Sequence, residues 1–273
     1  MRSPTLKELP PPPKDKKGWP WTEESPQLPD TMPDGSPWPK ISIVTPSLNQ
    51  GRFIEETIRS VLLQGYPNLE YIIIDGGSTD NTVEIIRKYE RWITYWVSEP
   101  DKGQAHAINK GFERAKGEIL AWLNSDDRYC KNALKWVGNA FRDNKECAAI
   151  VGECKRVTPD RKVINIVRPN LLTLEGIVDW GWGSNLFYQP SCFIASWAVK
   201  AAGKLREDLH FAFDYEYWMR LLKIGPFEPC HRCLSEATIY PEIKSQSFPE
   251  KAIAEQIQVM FETGYSDLAR SKI

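Results

Sequence analysis

The run Glu118-Ile-Leu-Ala-Trp-Leu123 reads as a buried strand, and it leads straight into Asn124-Ser125-Asp126-Asp127. No other feature constrains the fold as much. Acids at the carboxyl end of a strand in an open α/β sheet stand where such sheets bind ligands. The pattern repeats at Leu69-Glu-Tyr-Ile-Ile-Ile-Asp75. Around these runs the apolar spacing alternates between strand and helix. Ile41-Ser-Ile-Val-Thr45 is a strand. The helix after it carries Phe53/Ile54, Ile58, Val61 and Leu62 on one face and ends at Gly65-Tyr-Pro-Asn68. Helices over 81–89 (Val83, Ile86 and Tyr89 inward), 104–115 (Ala105, Ile108, Phe112 and Ala115 inward) and 131–142 follow, with strands at 94–97 and 148–151. This β-α alternation predicts a mainly parallel sheet with helices on both faces.

Past Gly152 the alternation weakens. Residues 153–167 read as a hairpin around Pro159-Asp160, and 171–190 as loop-rich. Residues 215–224 form a helix. An amphipathic helix over about 249–268 sets Ile253, Ile257, Met260 and Phe261 on one side. Residues 1–39 hold 11 of the 21 prolines, which excludes a regular core element there. Trp19, Trp21 and Trp38 argue against a free tail, since disordered segments are poor in aromatics. The expectation is an arm that docks its indoles on a single domain spanning 40–273. That domain divides into a nucleotide-binding half (40–130), an acceptor-side half (131–248) and a C-terminal helix (249–273).

The net charge of -1 argues against broad electrostatic attraction to nucleic acid or acidic lipid, and leaves room for a local basic patch such as Lys14 to Lys17. The chain has no apolar run long enough to span a bilayer and no secretory leader, which makes a cytoplasmic location the expectation. Peripheral membrane contact stays open because aromatics are plentiful. The spacing Cys230-x-x-Cys233 lacks the second close pair of a zinc site and reads as structural.

Asp126 and Asp127 repel each other unless a cation or proton intervenes, and a hard divalent ion takes oxygen ligands. Capping the helix that begins near Lys131 needs only one acceptor, placed closer to it. Asp75-Gly-Gly-Ser-Thr-Asp80 follows a strand and opens a helix, with glycines that let a ligand approach the backbone. It matches neither the dinucleotide fingerprint nor the P-loop. A tight turn and a nucleoside pocket are both compatible with it. The polar stretch Thr45-Pro46-Ser47-Leu48-Asn49 ends the neighbouring strand and forms a wall of the same pocket.

Four segments together resemble the family 2 glycosyltransferases of the GT-A fold: Val44-Thr-Pro-Ser-Leu-Asn49, Asp75-Gly-Gly-Ser-Thr-Asp80, Asp101-Lys-Gly-Gln-Ala-His-Ala-Ile-Asn-Lys-Gly111 and Leu123-Asn-Ser-Asp-Asp127. The resemblance implies a Rossmann-like GT-A domain with a smaller acceptor-side subregion. It also implies inverting transfer of a sugar from a nucleoside diphosphate donor, UDP-linked, to a hydroxyl of a glycan, lipid-linked glycan or other acceptor. By carry-over, Thr45, Pro46, Ser47, Asn49, Asp75, Lys102, Gly103 and Ser125 line the donor. Asp126, supported by Asp127, holds Mn²⁺ or Mg²⁺ at the D-x-D position, where Asn124 replaces the first acid. Asp214, in Phe213-Asp-Tyr-Glu-Tyr-Trp-Met-Arg220, aligns with the general base. As an isolated residue it reads equally as a helix cap. Gln189 and Trp182 fall on the acceptor side. Tyr240 falls where many relatives carry a metal-ligating His. Arg220 reads as structural. A nucleotidyltransferase and a non-catalytic sugar-nucleotide binder are the alternatives; the first lacks its basic Gly-rich loop near residues 45–51. Sequence sets neither the sugar nor the oligomeric state.

Overall fold

Strand β1 (Ile41–Ser47) is buried along its whole length and pairs in parallel with two neighbours, β2 (Leu69–Asp75) and β4 (Ile119–Trp122). β3 (Tyr95–Ser98) extends this parallel group beyond β2. The computed structural model describes residues 1–178, 187–243 and 247–271. Among these, β5 (Arg128–Tyr129), β6 (Ala149–Val157), β7 (Val163–Val167), β8 (Cys192–Ala195) and β9 (Phe227–Thr238) complete one sheet. Its order is β3-β2-β1-β4-β8-β6-β9-β5, with β7 on β6.

The parallel arrangement holds for β1 to β4, and the second half is mixed. β8 is antiparallel to both β4 and β6, and the β6–β7 pair is an antiparallel hairpin closed by the turn at 158–162. A turn that short allows no parallel partner. β9 runs parallel to β6 through two register shifts. Its burial follows no alternation, so sequence periodicity did not announce it. Since β8 reverses twice, β4 and β6 point the same way. The carboxyl ends of β1, β2, β4, β6 and β9 therefore emerge at one edge.

Successive β1 side chains face opposite cores. Ile41 and Ile43 pack with α1 (Ile54–Leu62), α2 (Thr82–Tyr89) and α4 (Ala133–Asp143). Val44 packs with α3 (Gln104–Arg114) and α7 (Phe213–Ile224) on the other side. Short helices α5 (Leu174–Val178) and α6 (Ser196–Ala202) lie in the second half. Two details differ from expectation. In α2 it is Ile85, not Val83, that is buried beside Ile86 and Tyr89. The C-terminal helix breaks into α8 (Pro249–Glu262) and α9 (Ser266–Ser271), because Gly264 takes a left-handed φ of 92°. The break leaves Val259 and Met260 buried and Phe261 exposed.

The Pro-rich arm lies on the α1 side. Its prolines have no N–H, so its carbonyls need donors from elsewhere. Arg59 of α1, fully buried, supplies them: Nη1 donates to Pro10 O at 2.8 Å, Nε to Pro20 O at 3.0 Å and Nη2 to Trp21 O at 3.0 Å. Trp21 and Trp38 are buried, and Trp19 Nε1 donates to Tyr129 O at 2.8 Å. All six cysteines are free thiols. Cys233 meets Cys130, Sγ to Sγ 3.4 Å, and that contact with burial pushes the Cys130 thiol well up. Among the described residues no helix is long and apolar enough to cross a membrane.

Candidate active site

The loops after β1, β4 and β9 enclose a cavity of about 820 Å³ at the carboxyl edge of the sheet. After β4 the chain turns back on itself, Asp127 N donating to Asn124 O at 3.0 Å. Thr57 Oγ1 braces this turn by donating to Ser125 O (2.9 Å) and Asp127 O (2.6 Å). Asp127 is buried and accepts Thr238 N at 2.9 Å. Asp126 is half-buried, lines the cavity and accepts Tyr240 Oη at 2.8 Å. Burial pushes both carboxyls above their ordinary range, and in Asp127 the neighbouring Asp126 adds to the rise. A cation at the pair would reverse the trend.

Among the described residues no group of three or more His, Cys, Asp or Glu converges as a metal cage. Two adjacent carboxylates fit a hard cation whose remaining shell comes from ligand oxygens and water. Asn124 is tied on both sides. It accepts Gln104 Nε2 at 2.7 Å and donates to Gln189 Oε1 at 3.4 Å, while Gln189 Nε2 donates to Trp122 O at 2.7 Å. An Asp at position 124 would lose the donor that meets Gln189, which gives the departure from the acidic pattern a local reason.

On the donor side, Pro46, Ser47, Gly103 and Ser125 line the cavity. Ser47 Oγ is buried with no hydrogen-bond partner, as a group awaiting a ligand would be. Four other residues stand back from the lining. Thr45 Oγ1 turns into the core, 3.1 Å from Tyr71 Oη. Asn49, at a left-handed φ of 53°, joins the loops after β1 and β2 by accepting Thr79 N at 2.8 Å. Asp75 is buried and accepts Gly77 N (3.1 Å), Ser78 N (2.9 Å), Ser78 Oγ (2.5 Å) and Ser98 Oγ (2.6 Å). Those bonds make it the organiser of its own loop. Lys102 is exposed. Asp101 does line the cavity, accepts Gly103 N at 2.7 Å and packs so close to Gly76 that a Cβ there would come within 2.8 Å of its Oδ2. Its signal in the sequence is its place in the Asp101-Lys-Gly103 string.

Across the cavity stands Asp214, in the first turn of α7, its Oδ1 accepting Tyr215 N at 2.7 Å. The loop before it is clamped from α8, where the Glu255 carboxylate accepts the N–H groups of His210 (3.0 Å), Phe211 (2.6 Å) and Ala212 (2.9 Å). Arg220 is structural, paired with Glu216 at 2.7 Å and donating to Lys204 O at 2.9 Å. Arg156 on β6 lines the cavity with a buried, unpartnered Nε, and its guanidinium lies 5.8 Å from the Tyr188 ring centroid. No motif marked Arg156 or Glu255; only the fold brings them in. Trp180 and Trp182 lie outside the described residues. Glu255→Ala should cost about 2 kcal/mol of stability, because several backbone donors lose a charged acceptor. Chemical denaturation beside the parent protein measures it.

Residues 42–196, more than half of the chain, match the family described as Glycosyl transferase family 2. An uncharacterized glycosyltransferase of Rickettsia typhi is 28% identical over 209 residues, covering 74% of this chain and 64% of the relative. A putative teichuronic acid biosynthesis glycosyltransferase of Bacillus subtilis, TuaG, is 43% identical over 100 residues, 36% of this chain and 40% of the relative. The chain thus spans less than two thirds of the length of either. Among solved structures, S. aureus TarS 1–349 in complex with UDP-GlcNAc matches at TM-score 0.65 and 21% identity, over 82% of this chain and 66% of that one. The mannosyltransferase PcManGT of Pyrobaculum calidifontis, in complex with GDP-Man and Mn²⁺, matches at TM-score 0.62 and 20% identity, over 86% and 66%. These two likenesses speak for the fold, an α/β domain of the GT-A kind. With the family match running from β1 to the first residue of α6, the chain belongs to glycosyl transferase family 2.

Proposed function

We propose that the chain transfers a sugar, with inversion, from a nucleoside diphosphate sugar, UDP-linked, to a hydroxyl of a glycan or lipid-linked glycan. The observation that carries this reading is one cavity that holds Asp126 and Asp214 together with the unpartnered Ser47 hydroxyl. Pro46, Ser47, Gly103 and Ser125 face the donor, while Asn49 and Asp75 order the loops after β1 and β2, Thr45 anchors the end of β1, and the exposed Lys102 is the cation nearest in sequence to Gly103. Asp126, backed by Asp127, would hold a divalent cation, Mn²⁺ or Mg²⁺, which offsets charge on the leaving diphosphate. Tyr240 orients the Asp126 carboxylate. Asp214 takes the proton of the acceptor hydroxyl as its oxygen bonds to the anomeric carbon and the bond to the diphosphate breaks on the opposite face. Gln189 and Arg156 belong to the acceptor side. The UDP-GlcNAc held by TarS and the GDP-Man with Mn²⁺ held by PcManGT are in keeping with this donor chemistry.

A thermal-shift series with UDP, UDP-sugars and GDP-sugars, with and without Mn²⁺, tests the proposal. A nucleotide at about a hundred times its Kd should stabilise the protein by about 2.7 kcal/mol. That gain raises Tm by on the order of 5–10 °C for a domain of this size. Chelator or Asp126→Ala should remove most of the shift. A nucleotide shift that ignores both Mn²⁺ and Asp126 would overturn the metal assignment, and no shift with any nucleotide would overturn the donor class.

A further inference from the structure

The β6–β7 hairpin carries both cationic and apolar surface. Residues 155–168 hold five Lys or Arg and one Asp; Lys155 and Arg161 pair inward with Glu236 and Glu56 and Arg156 lines the cavity, which leaves Lys162 and Arg168 as the outward cations. Along the outer strand, Val163, Ile164 and Ile166 are 55%, 49% and 38% exposed, and Leu171 just beyond is 68% exposed. Lys162 and Arg168 flank the apolar run with side chains 81% and 67% exposed. Among the described residues β7 pairs only with β6, so its outer edge is open. A protein ordinarily protects such an edge, and exposed aliphatic side chains along it mark a surface made to be covered.

The flanking charges say what covers it. A second copy pairing antiparallel about Asn165 would set Lys162 opposite Arg168 at both ends, like charge against like. An anionic phospholipid surface satisfies both features, accepting the cations at the headgroups and the aliphatic side chains at the interface. Asp160 lies 2.9 Å from Lys162 and Glu153 3.5 Å from Arg168. Lys162–Asp160 is exposed on both sides, and a pair of that kind is worth little. Register also sets Asn165, in the middle of the run, beside Arg156, which lines the cavity.

We propose that β7 docks this protein on an anionic phospholipid membrane. The corollary rests on the transferase reading above: the acceptor is lipid-linked.

The test is co-sedimentation of the full chain with vesicles of phosphatidylcholine alone or mixed with phosphatidylglycerol. Light scattering reports oligomeric state, and UDP thermal shift serves as a separate readout. The parent protein should sediment with the anionic vesicles only, and less at high salt. Lys162→Glu/Arg168→Glu and Ile164→Asp/Ile166→Asp should each weaken that binding about tenfold or more, with the UDP shift unchanged. If the apolar pair of substitutions impairs folding, the charge pair, fully on the surface, decides. Failure of the parent protein to bind anionic vesicles, or equal binding by the charge-reversed variant, would refute the docking. So would a dimer dispersed by Ile164→Asp. Loss of the UDP shift in the parent protein strikes the donor reading and leaves the docking result standing.

Discussion

Asp214→Asn should lower kcat for sugar transfer by about 10²–10⁴-fold, the usual worth of a positioned general base, while UDP affinity stays as it was. The substitution separates the two roles open to this residue. Asp214 sits in the first turn of α7, where an acid also serves the helix dipole and the exposed backbone N–H groups. Asn preserves the side-chain shape and an oxygen that accepts the Tyr215 N–H. It cannot take the acceptor proton. A residue that only caps the helix would therefore tolerate Asn, with melting temperature and turnover both near the parent values. A residue that acts as base would keep the melting temperature and lose turnover. Steady-state rates at saturating donor, set beside a UDP thermal shift, tell the two apart. Near-parental turnover would remove Asp214 from the reaction.

The largest expected effect on stability is at Arg128. Arg128→Met should cost about 3–5 kcal/mol, the penalty for stranding a buried charge, and lower Tm by on the order of 10 °C. Arg128 lies between Glu56 and Glu236, and all three side chains are about 10% exposed. Its Nε donates to Glu236 Oε2 at 2.8 Å, and Nη1 reaches Glu56 and, at 2.8 Å, Trp19 O in the arm. Without it, Glu56 keeps Arg161, but Glu236 keeps only Lys155 at 3.7 Å among the described residues. Chemical denaturation measures the loss. Glu236→Gln in the same background should restore part of it, because the stranded charge, rather than the missing volume, is the main cost. A loss below about 1 kcal/mol, the size of an exposed pair, would show that water reaches the cluster.

The parallel half of the sheet was legible because its strands are buried runs and its helices carry their apolar residues at helical spacing. β1, β2 and β4 with α1 and α3 came out close to their expected bounds, and Asp126 and Asp127 stand at the strand end where the sequence put them. β9 was not legible: its register shifts twice against β6, and Pro229 and Cys230 interrupt any two-residue period. At the donor side the sequence named residues but not their partners. Asp75 carries the mark of a ligand contact, yet Ser78 and Ser98, the second of them on another strand, occupy its oxygens. Glu255 is the converse case, an ordinary helix-face acid until α8 packs over the loop at 210–212. Arg59 likewise sits amid the apolar face of α1 with nothing in its neighbours to say that a fully buried guanidinium belongs there.

Arg59 bears on where this protein can be cut. The family match opens at residue 42, which invites trimming everything upstream. The guanidinium would then face a vacated groove, its carbonyl acceptors gone, and Trp21 and Trp38 would leave open the wall they close. Ancestry and autonomy thus have different borders here: trimming to the segment that kinship identifies should unsettle what remains.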